Sequence, residues 1–163
     1  MKGAPALIGL VVALALPGLA ACGFTPLYAQ GAAGTEASRI AVNTPDDRLG
    51  FRLREQLEDV LGVNRGAAPL RTLDVRVQSA RRPLGRRIDD TASRYELTVR
   101  AEWTLSAAAG GEPLTGTETA TVTYAAADQP YAAITAQQDG EDRAAADLAR
   151  LLRIDILRAL SEP

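Results

Sequence analysis

Residues 38–163 predict an α+β domain in the order strand, helix, three strands, helix. Both helices are expected on one face of a mostly antiparallel four-stranded sheet. Three observations carry this. Tyr95, Leu97, Val99, Ala101, Trp103 and Leu105 alternate with Arg94, Glu96, Thr98, Arg100, Glu102 and Thr104, the period of two of a half-buried antiparallel strand. Two other stretches repeat their leucines at helical spacing, one after Thr44 and one after Asp142. The pair Gly110-Gly111 turns the chain between two alternating runs.

Taken in order, Gln30 to Glu36 is rich in Ala and Gly and reads as loose chain. Ser38 to Asn43 alternates and predicts the first strand. Thr44-Pro45-Asp46-Asp47 predicts a helix start, with Thr44 as the cap and Pro45 in the first helical position. Leu49, Leu53, Leu57 and Val60 then form its apolar stripe, and Gly62 supplies the stop. Strands are predicted over Leu73–Gln78, Tyr95–Leu105 and Thr117–Tyr124, the last with threonines at every second position.

The closing helix is expected to begin near Pro130-Tyr131, to be weakened at Gly140 and to run strongly from Asp142 to Leu160. Its stripe is Leu148, Leu151, Leu152, Ile156, Ala159 and Leu160, interrupted by Asp155. Ile154 and Leu157 lie off that stripe. They read as scattered surface aliphatics or as a second contact face against a partner.

The N-terminus reads differently. Met1 and Lys2 precede an apolar run from Ala6 to Leu16, Pro17-Gly18 breaks it, and Ala20 and Ala21 lead into Cys22. This is the layout of a secretory signal. As a membrane span it is short, since about 20 apolar residues are needed. Leu19-Ala20-Ala21-Cys22 resembles a bacterial lipobox, which implies cleavage before Cys22 and acylation of its thiol. Two or more acyl chains anchor a protein stably without spanning the bilayer. The expected division is therefore 1–21 lipoprotein signal, 22–37 lipidated tether and 38–163 a single α+β domain.

Composition narrows the function classes. The chain has 163 residues, a formal net charge of −2, no histidine and a single cysteine. Ser-His-Asp and Cys-His nucleophile systems are excluded, as are the common zinc sites. No cofactor, metal or catalytic residue is expected. Nucleic acid is an unsuitable partner for an exported chain without a net basic domain.

"LAACGFTPLYA", residues 19–29, resembles the N-terminus of the LPS-assembly lipoprotein LptE family. There a lipidated cysteine is followed by Gly-Phe, a variable residue and Pro-Leu-Tyr, here Gly23, Phe24, Pro26, Leu27 and Tyr28. The stretch from Tyr131 to Leu160 is similar to the last helix of that family, and the element order matches. The resemblance implies a non-enzymatic, lipid-anchored protein on the periplasmic face of the outer membrane. It implies a plug inside the LptD-type β-barrel that helps the barrel assemble and binds lipopolysaccharide. Gly23, rather than Asp, after the cysteine leans the same way.

One local signal remains. Arg81, Arg82, Arg86 and Arg87 bracket Pro83-Leu84-Gly85 in an expected loop between two strands. Guanidinium groups hold phosphate by paired hydrogen bonds, so the four are candidate lipopolysaccharide-binding residues. A contact with the barrel wall, or a solvated hairpin partly neutralised by Asp89 and Asp90, accounts for the same run. Two other functions stay open: a lipoprotein subunit of another envelope lipid-trafficking system, and a periplasmic carboxylate hydrolase. The hydrolase would need two acids converging in a cleft.

Overall fold

The computed structural model describes residues 32–86, 88 and 92–161. The predicted signal, Cys22 and the phrase that follows it lie outside these residues. The elements are α1 (Ala32–Ala37), β1 (Ile40–Asn43), α2 (Arg48–Leu61), β2 (Arg71–Arg86), β3 (Ala92–Ala107), β4 (Leu114–Ala125) and α3 (Pro130–Ser161). The sheet order is β1-β2-β3-β4, with β1 parallel to β2 and the other pairings antiparallel. The predicted α+β class and element order hold.

Local chemistry explains where the elements start and stop. α2 is capped by Asp47, whose carboxylate accepts the Gly50 N–H at 2.6 Å. The expected cap, Thr44, lies too early. Its hydroxyl donates instead to the Gly50 carbonyl at 2.8 Å, clasping the approach to the helix. Gly50 is required here, because a Cβ would stand 2.1 Å from the Pro45 carbonyl oxygen. Gly62 ends α2 in the left-handed region at φ 65°, and the Val63 N–H returns to the Glu58 carbonyl at 2.9 Å.

Three expectations are corrected. The Ala- and Gly-rich stretch expected to be loose contains α1, and Ala37 is buried in the core. β2 is not confined to Leu73–Gln78 but runs on to Arg86, and β3 extends from Ala92 to Ala107. Together they form the long central pair of the sheet, and β4 stays beside β3 as far as Arg94. β1 pairs only with Arg71–Asp74, so among the described residues the upper part of β2 carries no neighbour on that side.

Both long helices pack on one face. The core joins Leu53 and Leu57 of α2, Leu73, Val99, Trp103 and Leu105 of the sheet, and Leu148, Leu152 and Ile156 of α3. Leu151 departs from the predicted stripe and is 37% exposed. Arg48, the first residue of α2, meets Glu141 at 2.7 Å and Asp142 at 3.0 Å on α3. From that level downward two helices cover the sheet. Above it, toward the β2–β3 hairpin, only the first turns of α3 lie on it.

α3 is continuous through Gly140. The glycine expected to weaken the helix has a packing role: a Cβ there would come within 2.8 Å of the Tyr124 ring. Asp155, unexplained by periodicity, accepts the Trp103 indole N–H at 3.1 Å. Gly116 is the β4 neighbour of Trp103, and a Cβ on it would lie 2.6 Å from both the indole and the Asp155 carboxylate.

Candidate functional site

The arginine cluster does not sit on a loop. Arg81 and Arg82 are consecutive residues of β2, opposite Leu97 and Glu96 of β3. Consecutive strand residues project to opposite faces. Arg82 therefore lies on the open face, where it donates to Glu96 through Nε at 3.0 Å and Nη2 at 2.8 Å. Arg81 lies on the helix-bearing face. The structure does not bring these two together around one group. The side chain of Arg86 and the whole of Arg87 lie outside the described residues.

Arg81 belongs to a small site at the hairpin end. Its guanidinium carbon stands 4.8 Å from the centre of the Tyr95 ring, the geometry of a cation–π contact. Nη1 donates to Gln137 Oε1 of α3 at 3.1 Å. The Tyr95 and Tyr124 rings lie 5.6 Å apart, tilted by 32°. The nearby Tyr124 hydroxyl raises the pKa of Arg81 above that of an ordinary arginine, and Tyr95 adds to the effect. The contact is one of proximity rather than alignment: the hydroxyl forms no hydrogen bond, although it is buried.

These groups line a cleft of about 310 Å³ together with Asp128, Ala133 and Ile134. Ile134 and, one turn earlier, Tyr131 are exposed at the start of α3. The cleft thus joins one cation, a buried hydroxyl without a partner, two aromatic rings and an apolar rim. That combination suits an anionic headgroup attached to an apolar chain. Sequence reasoning missed Tyr124 and Gln137. A signal was present: Tyr95 and Tyr124 occupy core-facing positions of their strands, and Gly140 stands in a helical run where the sequence supplies no local reason for a glycine.

A larger hollow of about 730 Å³ lies at the other end of the sheet, lined by Asn43, Asp74, Arg76, Glu102, Thr104 and Thr117 among others. Its polar groups partly satisfy one another, as where Asn43 Nδ2 donates to Asp74 at 2.9 Å. Glu96 and Glu102, on the polar face of β3, do not converge as a carboxylate hydrolase would need: Glu96 is held by Arg82 and Glu102 by Arg100 at 3.4 Å. Six residues of extended strand separate them, roughly 20 Å.

With this geometry in place, comparison with known proteins decides the family. The family model "LptE: Lipopolysaccharide-assembly" matches residues 37–156. The chain belongs to the LptE family. A solved lipoprotein from Caulobacter crescentus CB15 is similar at 36% identity and a TM-score of 0.68, covering 82% of this chain and 99% of that one. Rare lipoprotein B from Shewanella oneidensis aligns at 17% identity and a TM-score of 0.47, covering 75% of this chain and 92% of its own. Lipoprotein B from Nitrosomonas europaea aligns at 19% and 0.47, covering 76% and 82%. Among curated proteins, no relative matches in sequence. LptE proteins are non-enzymatic lipoproteins of the cell envelope that act in lipopolysaccharide assembly. Among the described residues, no helix is long and apolar enough to cross a membrane.

Proposed function

We propose that the protein is the lipid-anchored plug subunit of the lipopolysaccharide translocon, working with an LptD-type β-barrel at the outer membrane. The observation that carries this reading is the LptE family match over residues 37–156. Cys22 is the proposed acylation site, following a signal over residues 1–21. The anchor holds the domain at the periplasmic face, and the polar open face of the sheet suits a hydrated lumen. Lipopolysaccharide is the proposed ligand of the hairpin end. Arg81, beside the tyrosine cleft, is the first contact for a lipid A phosphate. Arg82, Arg86 and Arg87 are the further basic residues of that end.

The test is affinity purification of the full chain from detergent-solubilised outer membranes. A β-barrel of the LptD type is the expected partner, and recovery with a different envelope complex would redirect the assignment. Cys22→Ala is expected to block processing and leave the protein without acyl chains in an intact-mass measurement. At the hairpin end, Arg81→Lys keeps the charge but loses the planar two-point donor. Lipopolysaccharide binding should fall in the order parent, lysine, alanine. Equal binding by all three would remove Arg81 from the site.

A further inference from the structure

Arg81 and Arg82 are neighbours on β2 but are held by different chemistry. Arg82 meets a carboxylate, Glu96, through Nε at 3.0 Å and Nη2 at 2.8 Å. Its charge is balanced where it stands. Arg81 meets an amide instead, with Nη1 donating to Gln137 Oε1 at 3.1 Å. Among the described residues, Arg81 forms no ion pair with a carboxylate.

The contact continues along α3. Gln137 Nε2 donates to Glu141 Oε1 at 2.9 Å, one turn further on. The other oxygen of Glu141 accepts from Arg48 Nη1 of α2 at 2.7 Å. The order of charges along this line is cation, neutral, anion, cation. A guanidinium can only donate and a carboxylate can only accept. The residue between them must accept at one atom and donate at the other, and the glutamine amide does both. That requirement fixes which way the amide points. Hydrogen bonds in such a chain polarise one another, so Glu141 makes the Gln137 oxygen a better acceptor for Arg81. Glu141 is itself balanced by Arg48, and its side chain is only 18% exposed.

A neutral acceptor has a consequence for the cleft. The Arg81 guanidinium lies over Tyr95, and one of its N–H groups is taken by Gln137. What remains is an oriented plane with its full charge and unused donors, on an exposed side chain. Glutamate at 137 would reach the same nitrogen, but would balance the charge as Glu96 balances Arg82. Alanine would leave the charge and remove the orientation.

We propose that Gln137 is a positioning residue of the hairpin cleft. It orients Arg81 through a neutral acceptor and so keeps the guanidinium charge for an anionic group, while Glu141 and Arg48 hold the amide in turn. The proposal rests on the reading of Arg81 as the lipopolysaccharide contact, and adds the residue that keeps that contact selective for an anion.

The experiment measures binding of the full chain, in detergent, to purified lipopolysaccharide for the parent, Arg81→Ala, Gln137→Ala and Gln137→Glu. Affinity should fall in the order parent, Gln137→Ala, Gln137→Glu. The glutamate variant should be weaker than the parent by roughly tenfold, the equivalent of one charge-assisted hydrogen bond. A residue that merely braced the hairpin against α3 would give the reverse, because a carboxylate accepts from Arg81 more strongly than an amide does. Gln137→Glu binding as well as the parent, while Arg81→Ala binds weakly, overturns the proposal and leaves the Arg81 reading standing. Arg81→Ala binding like the parent overturns both. Lipopolysaccharide stripped of its phosphates should bind the parent and Gln137→Glu alike, and a glutamate effect that persists on it refutes selection by charge. Gln137→Glu also sets two carboxylates one turn apart on α3, which disfavours the helix. The double variant Gln137→Glu with Glu141→Gln removes that repulsion and keeps each donor opposite an acceptor. It should melt close to the parent and still bind as weakly as Gln137→Glu; parent-like binding by the double variant also sinks the proposal.

Discussion

The two ends of the sheet use one device and finish it differently. At the β1 end, Gly116 on β4 makes room for the Trp103 ring, and the indole N–H finds Asp155 of α3. At the hairpin end, Gly140 on α3 makes room for the Tyr124 ring, but the hydroxyl finds no partner. In each case an aromatic ring from one element fills the space that a missing Cβ leaves on another. Only the first pairing also satisfies the polar atom the ring carries. A buried polar group left unpaired costs about 1–3 kcal/mol. The first end is therefore a stability element, and the second carries an unpaired buried hydroxyl at a cost in stability.

The largest expected effect lies at the β1 end. Trp103 is 2% exposed, and Trp103→Ala should destabilise by about 3–5 kcal/mol in denaturant unfolding. A loss below about 1 kcal/mol would deny that this end anchors the fold. Next is Gly140→Leu, which forces side-chain atoms into the Tyr124 ring and should cost about 1–3 kcal/mol or more. Because the clash is confined to the hairpin end, a normal melting midpoint would mean that α3 lifts freely from the sheet there.

Asp155→Ala should cost about 1–3 kcal/mol, since the indole N–H stays buried without an acceptor. Asp155→Asn keeps a carbonyl oxygen in place and should lose less; equal losses would assign the effect to charge, including the 3.7 Å contact with Arg158. Tyr124→Phe, the smallest change, removes an unpaired group and should be neutral or stabilising by up to about 1 kcal/mol. A clear destabilisation would show that the hydroxyl is already satisfied, and the contrast between the two ends would disappear.

Much of this was open to inspection in the sequence, for identifiable reasons. The alternation from Tyr95 to Leu105 placed the central strand and buried Trp103, because a strand with one wet face must alternate. Gly62 marked the end of α2, because few other residues adopt the left-handed conformation without strain. The cap of α2 was misplaced because Thr44 and Asp47 are both good caps, and the difference lies in what each side chain reaches. By sequence the arginine run reads as a loop, because Pro83 and Gly85 are turn residues. Pairing with β3 overrides that preference on the part of β2 beyond β1, which is locally an edge and tolerates a proline.

By itself, then, the sequence determined the α+β class, the order of the elements, the absence of histidine- and cysteine-based catalysis, and the N-terminal phrase that resembles the LptE family. These depend on composition, short-range periodicity and local motifs, all carried by neighbours along the chain. Tertiary structure alone decided that Arg81 and Arg82 part to opposite faces, that Asp155 has a buried partner, that Gly140 serves Tyr124, and that β4 is the outer strand among the described residues. Each of these depends on residues far apart in sequence meeting in a particular register. Register is set by the packing of whole faces, which no single segment encodes.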